Sequence, residues 1–216
     1  MNARAIIWDW NGTLLNDLGL CVSSINILLE NRKLPILNPE KYKEVFSFPV
    51  KDYYQAVGFD FTKEAFKVPA MEFISLYESQ VENCTLQPGP LDVLSFFEEK
   101  GLKQFVLSAM HQDMLEKTLK HNGIFRFFEA VAGLGDHYAV SKVERGQQLI
   151  NQFKIEKEKA LIIGDTIHDF EVAQELGIRC ILIADGHQSE ERLKKTGAFV
   201  LNNLFEMKKV EDINFV

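Results

Sequence analysis

Apolar positions follow two different rhythms along the chain. Residues 5–10 form a nearly continuous apolar run, broken by Asp9 and closed by the Asn11-Gly12 turn signal, and read as a buried strand. From Asp17 to about Asn83 the spacing becomes helical, through Leu20, Ile25, Leu28 and Leu29, then Tyr53, Tyr54 and Val57, then Phe73, Ile74, Leu76, Tyr77 and Val81. No strand pattern interrupts this stretch. Pro69 is expected to kink or split its last helix, because proline lacks the amide donor and crowds the preceding turn.

After Pro88-Gly89-Pro90 helix and strand alternate. Helices are predicted over 91–100, 112–121, 142–153 and 169–176, and strands over 104–107, 130–132, 160–163 and 180–184. Ser141 and Glu144 stand at capping-box spacing before the third of these helices. Strands alternating with helices of this length imply an α/β fold, a doubly wound parallel sheet covered on both faces. The all-helical stretch then becomes an insertion after the first strand. Residues 1–15 and 85–216 would form the core, and 16–84 a helical cap.

Open parallel sheets bind ligands at the carboxyl ends of their strands, which directs attention to the residues just past each one. These are Asp9, Asn11 and Thr13 after the first strand, Ser108 after the second, Lys142 at a helix start, and Asp165 with Asp169 after the 160–163 strand. Three carboxylates on one edge repel one another unless a cation intervenes, and oxygen-only ligands favour Mg²⁺. Backbone N–H groups around Trp10 to Gly12 would form a nest for an anion, with Lys142 adding positive charge. Such a site suits a phosphoryl group beside a magnesium ion. Read singly, Asp17 would be no more than a helix cap or a solvated charge.

In their order these residues resemble the haloacid dehalogenase superfamily, and the cap position suggests its phosphoglycolate phosphatase-like branch. The first motif of that superfamily, D-x-D-G-T after a strand, is matched by Asp9-Trp10-Asn11-Gly12-Thr13; the second, a strand ending in Ser or Thr, by Phe105-Val106-Leu107-Ser108; the third, a Lys at a helix start, by Lys142; the fourth, G-D-x-x-x-D, by Gly164-Asp165-Thr166-Ile167-His168-Asp169. The resemblance implies a Rossmann-like core and an Mg²⁺-dependent phosphatase working on a small phosphorylated metabolite. It implies Asp9 as nucleophile, through an aspartyl phosphate, and Asp9, the Asn11 carbonyl, Asp165 and Asp169 as metal ligands. Ser108, Ala109 and Lys142, with the loop Trp10, Gly12 and Thr13, would hold the phosphoryl group.

Asn11 departs from the pattern, since the acid that phosphatases of this superfamily carry there moves protons to and from the leaving and attacking oxygens. Three readings follow: a slower phosphatase, or one specialised for leaving groups that need little protonation, such as acyl phosphates; carbon–phosphorus cleavage like that of phosphonoacetaldehyde hydrolase, with Lys51 of the cap as Schiff base; or a weakly active phosphate-binding or regulatory protein. His111, His137 and His168 are the titratable substitutes in the right region, His111 foremost.

The remaining bulk properties narrow partners. A net charge of -7 offers no excess of cations for nucleic acid or anionic membrane. Three widely spaced cysteines, no signal-like start and no apolar run of membrane length fit a cytoplasmic protein. Oligomeric state leaves no trace in the sequence.

Overall fold

A computed structural model describes residues 3–135 and 141–212. Its centre is a parallel six-stranded sheet, order β3-β2-β1-β4-β5-β6, built from β1 (Ala5–Trp8), β2 (Lys103–His111), β3 (Ala130–Leu134), β4 (Ala160–Gly164), β5 (Arg179–Ile183) and β6 (Phe199–Leu201). The central strand β1 pairs with β2 through Ile7↔Phe105 and with β4 through Ile7↔Ile162. Strand alternation divides the core into two layers. Ile6, Trp8, Val106, Leu161 and Ile163 face one cluster, which holds Val93, Leu94 and Phe97 of α5 (Pro90–Glu99) and Leu115 and Leu119 of α6 (Gln112–His121). Ala5, Ile7, Phe105, Leu107 and Ile162 face the other, which holds Leu149 and Ile150 of α7 (Lys142–Phe153) and Val172, Ala173 and Leu176 of α8 (Ile167–Leu176). Burial on both faces explains why the β1 and β4 segments read as unbroken apolar runs.

Helix boundaries at 112–121 and 142–153 agree with the sequence reading, the second because Ser141 and Glu144 close the capping box. Two expectations fail. Strand β2 does not end at Ser108 but runs on to His111, with its register against β3 shifting between Leu107 and His111. Pro69 neither kinks nor splits a helix: it lies in the first turn of α4 (Lys67–Glu78), where an amide would have no intrahelical acceptor anyway. Strand β6 and the short α9 (Glu190–Lys194) were not anticipated.

Between β1 and α5 the chain forms α1 (Leu18–Asn31), α2 (Pro39–Val45), α3 (Val50–Ala56) and α4. This insert has an interior of its own, in which Ile25, Leu28 and Leu29 meet Tyr42, Tyr53, Tyr54 and Phe59. It touches the sheet side through polar tethers, such as Arg192 Nη1 donating to the Lys43 and Phe46 carbonyls at 2.7 Å and Gln188 Nε2 to the Phe46 carbonyl at 2.9 Å, and through ring contacts of Phe48 on His168 and of Tyr42 and Phe46 on His187. Among the described residues no helix is long and apolar enough to cross a membrane.

Candidate active site

Beyond β1 the chain turns sharply, and Gly12 makes the turn possible. Its φ is +74°, and a Cβ there would collide with Asp165 and His187. The turn delivers Asp9 beside Lys142, the first residue of α7, whose Nζ lies 2.5 Å from Asp9 Oδ1 and 2.6 Å from Asp169 Oδ1. Asp169 is held from its other oxygen by the capping box of α8, accepting from Thr166 N at 3.0 Å and Thr166 Oγ1 at 2.7 Å. Asp165 accepts from Thr13 Oγ1 at 2.8 Å and from the His187 amide at 2.6 Å. All four charged residues are buried.

Their electrostatics follow from that burial. Asp9 is pushed upward by desolvation and by the neighbouring carboxylates Asp169 and Asp165, against the pull of Lys142. Burial also raises Asp165, to about 6. Burial alone would raise Asp169 too, but Lys142 outweighs it and holds that carboxyl low. Lys142 is itself held above its usual value by Asp169 and Asp9, despite the cost of burial.

Asn11 is equally constrained. Its Nδ2 donates to Asp17 Oδ2 at 2.9 Å and to the Tyr77 hydroxyl at 2.6 Å, while its Oδ1 accepts from Ser108 Oγ at 3.3 Å. Asp17 gathers four further donors: the Gly12 amide at 2.9 Å, Tyr77 Oη at 2.6 Å, His187 Nε2 at 3.0 Å and the Cys21 thiol at 3.8 Å. The other ring nitrogen of His187 lies 3.2 Å from Tyr42 Oη. Burial would disfavour charge on both partners, yet Asp17 lifts His187 to about 9, and His187 with Tyr77 and Asn11 holds Asp17 below its usual value. A second ion pair therefore sits beside the first.

A cavity of about 510 Å³ opens above these residues, between the sheet edge and the insert. Asp9, Asn11, Ala109, Lys142 and Asp169 reach it, with Phe46, Phe48, Tyr53, Phe66, Phe73 and Tyr77 opposite. Several sequence candidates do not. Trp10 has no exposed surface and packs into the sheet core; Thr13 is buried against Asp165; the Gly12 amide is spent on Leu15 O and Asp17 rather than offered to an anion. Ser108 is buried, its Oγ accepting from the Met110 amide at 3.1 Å. These four shape the site from behind its surface.

A family description, haloacid dehalogenase-like hydrolase, matches residues 6–183. The chain belongs to that family. Among relatives of this hydrolase, a phosphoglycolate phosphatase of Caulobacter vibrioides is 24% identical, over 97% of this chain and 91% of its own length. A pyrophosphatase, PpaX, of Bacillus pumilus is 23% identical, over 97% of this chain and 94% of its own. A haloacid dehalogenase-like hydrolase structure from Streptococcus pneumoniae superposes with a TM-score of 0.84 at 19% identity, covering 98% of this chain and 99% of that one. The match in fold extends over core and insert alike.

The hydrolase's acidic cluster fits a hard divalent cation. Oxygens of Asp9, Asp165 and Asp169 lie within 4.8 Å of one another, and among the described residues Lys142 is the one side-chain cation bonded to them. When ionised, three buried carboxylates against one ammonium leave two negative charges for a dication to neutralise in place of the protons that burial favours on Asp9 and Asp165. Of the histidines weighed from sequence, His137 lies outside the described residues. His168 stacks on Phe48 with centroids 4.7 Å apart, and His111 Nε2 lies 3.1 Å from the Gly135 carbonyl. Sequence reasoning missed His187 and Tyr77 and undervalued Asp17. The rule that pointed to the ends of β1 and β4 would have found His187 had it been applied past β5.

Proposed function

We propose that this hydrolase is an Mg²⁺-dependent phosphatase that transfers a phosphoryl group to Asp9 and then releases inorganic phosphate. The observation that carries this reading is the Asp9–Lys142–Asp169 chain at the floor of a cavity large enough for a small organic ligand. Bound Mg²⁺, held by Asp9, the Asn11 carbonyl, Asp165 and Asp169, would neutralise phosphoryl charge.

The remaining work falls to the chain's own side chains. Lys142 occupies Asp9 Oδ1, which fixes the carboxylate's rotation and leaves Oδ2 to attack phosphorus. The same ammonium can pass from Asp9 to a phosphoryl oxygen as charge moves off the carboxylate, giving stabilisation that grows toward the transition state. Thr13 and the His187 amide orient Asp165, and the capping box orients Asp169, so neither needs to reorganise during reaction. The helical insert, residues 16–84, acts as a cap whose aromatic face excludes water from the floor.

Inorganic phosphate release with Mg²⁺ and with chelator, for wild type and Asp9→Asn, tests the proposal. Release that needs both metal and Asp9 supports it, and turnover surviving Asp9→Asn removes the aspartyl phosphate. Carbon–phosphorus cleavage is less well supported. Lys51 is exposed at the cavity rim, its ammonium 5.9 Å from the Phe61 ring centroid, and a Schiff-base lysine needs the desolvation that this position lacks.

A further inference from the structure

Floor and roof of the cavity make two independent demands on the leaving group. At the floor, the side chain at position 11 cannot deliver a proton, since Asn11 is an amide with both its ends committed to Asp17, Tyr77 and Ser108. A leaving oxygen must therefore depart as an anion stable in its own right. Phenolates, carboxylates and phosphate meet that demand; simple alkoxides do not.

The roof separates those three. It is aromatic, with Phe46 set edge-on to Phe48 at 5.5 Å and to Tyr53 at 5.3 Å, and Phe48 laid on His168 of the core at 4.7 Å. Apart from the Asp17–His187 pair, its charged members are the exposed Lys51 and the half-buried Glu78, which together carry no net charge. The one buried cation beside the roof among the described residues, His187 against Phe46 at 5.4 Å, is already paired with Asp17 at 3.0 Å, so a second carboxylate or phosphate on the substrate would find no uncommitted partner, whereas an uncharged ring finds edges and faces to pack against. One polar atom is left over. The Tyr53 hydroxyl, on a residue only 2% exposed, has no hydrogen-bond partner, although Tyr53 lines the cavity. A buried hydroxyl without a partner costs stability unless a ligand satisfies it.

We infer that the substrate is an aryl phosphate, the phosphate monoester of an uncharged phenol, whose ring packs against Phe46 and Phe48 and whose polar ring substituent hydrogen-bonds Tyr53. In the first step Asp9 Oδ2 forms a bond to phosphorus and the phosphorus–oxygen bond to the ring breaks, its electron pair leaving on the phenolate. In the second, water attacks the phosphorus and the bond to Asp9 breaks, both water protons ending on dihydrogen phosphate. Neither step asks Asn11 for a proton.

The inference rests on the phosphatase reading, and one substrate series separates the two. We would measure kcat/KM with Mg²⁺ for phenyl phosphate, 4-acetylphenyl phosphate, benzyl phosphate, phosphoglycolate, acetyl phosphate and pyrophosphate. Phenyl phosphate is expected to exceed benzyl phosphate, which has a similar ring on an alkyl oxygen, by on the order of a hundredfold or more, the usual worth of a missing general acid. It should also exceed the charged and ringless substrates. Benzyl and phenyl phosphate hydrolysed alike would overturn the leaving-group argument, and phosphoglycolate, acetyl phosphate or pyrophosphate as the best substrate would overturn the aromatic one while leaving the phosphatase intact. Silence on all six overturns the phosphatase reading itself. In Tyr53→Phe the 4-acetylphenyl to phenyl ratio should fall about tenfold, the worth of one hydrogen bond. An unchanged ratio removes Tyr53 from the site.

Discussion

The floor and the roof of the cavity solve opposite problems. At the floor nearly every polar atom has a partner: Lys142 bridges two carboxylates, Asp17 collects five donors, and Asn11 is held from both ends of its amide. At the roof the surface is ring against ring, and the Tyr53 hydroxyl is left without a partner. A satisfied polar network is rigid, because each member would have to give up a buried bond to move. An aromatic wall instead discriminates by shape and apolarity, and tolerates rearrangement. Chemistry therefore belongs to the floor and selectivity to the roof.

The most severe way to break the floor is to remove its cation. Lys142→Met leaves Asp9, Asp165 and Asp169 buried without it, and the metal-free protein should lose about 3–5 kcal/mol. Thermal melts would show this, and added Mg²⁺ should recover part of the loss. A melt insensitive to the substitution would mean the cluster is already neutralised by protons.

A subtler change tests why position 11 is an amide. Asn11→Asp sets a carboxylate where Nδ2 now donates to Asp17 at 2.9 Å, so the single variant should melt lower and gain nothing on alkyl phosphates. Asn11→Asp with Asp17→Asn exchanges the two charges and should regain stability while raising benzyl phosphate hydrolysis. Equal behaviour of single and double variants would show that Asp17 does not dictate the amide.

The second ion pair can be read by pH in chelator. His187 has a folded-state value of about 9 against an ordinary 6.5, so the stability it contributes is fully present below about pH 6.5 and is lost as pH rises through 9. Asp17, held low, contributes stability that is present above the ordinary carboxylate range and lost in acid. A melting curve falling between pH 6.5 and 9, flattened in His187→Gln, is expected. A flat wild-type curve over that window would show that His187 is not charged in the folded protein.

The smallest effect belongs to the roof. Phe48 is 37% exposed and stacks on His168, so Phe48→Ala should cost about 1 kcal/mol of aryl phosphate affinity, seen in KM with kcat nearly constant. A fall in kcat instead would mean that the roof positions the floor.

The core's layer order and the acids at its strand ends were legible because they rest on local signals. Apolar runs mark strands, capping residues mark helices, and strand-to-turn spacing marks Asp9, Asp165 and Asp169. Strand β6 escaped because three residues carry too little periodicity, and Pro69 because its effect depends on whether it lies in the first turn or the interior of a helix. Asn11 was recognisable as a substitution, but not its cause. Sequence by itself determined which chemistry the sheet edge could hold, since that depends on residue type and on position after a strand. Only the tertiary structure decided what surrounds Asn11, because Asp17 meets His187 across 170 positions and Tyr77 across 60, and no local period records which distant side chains a closed fold will press together.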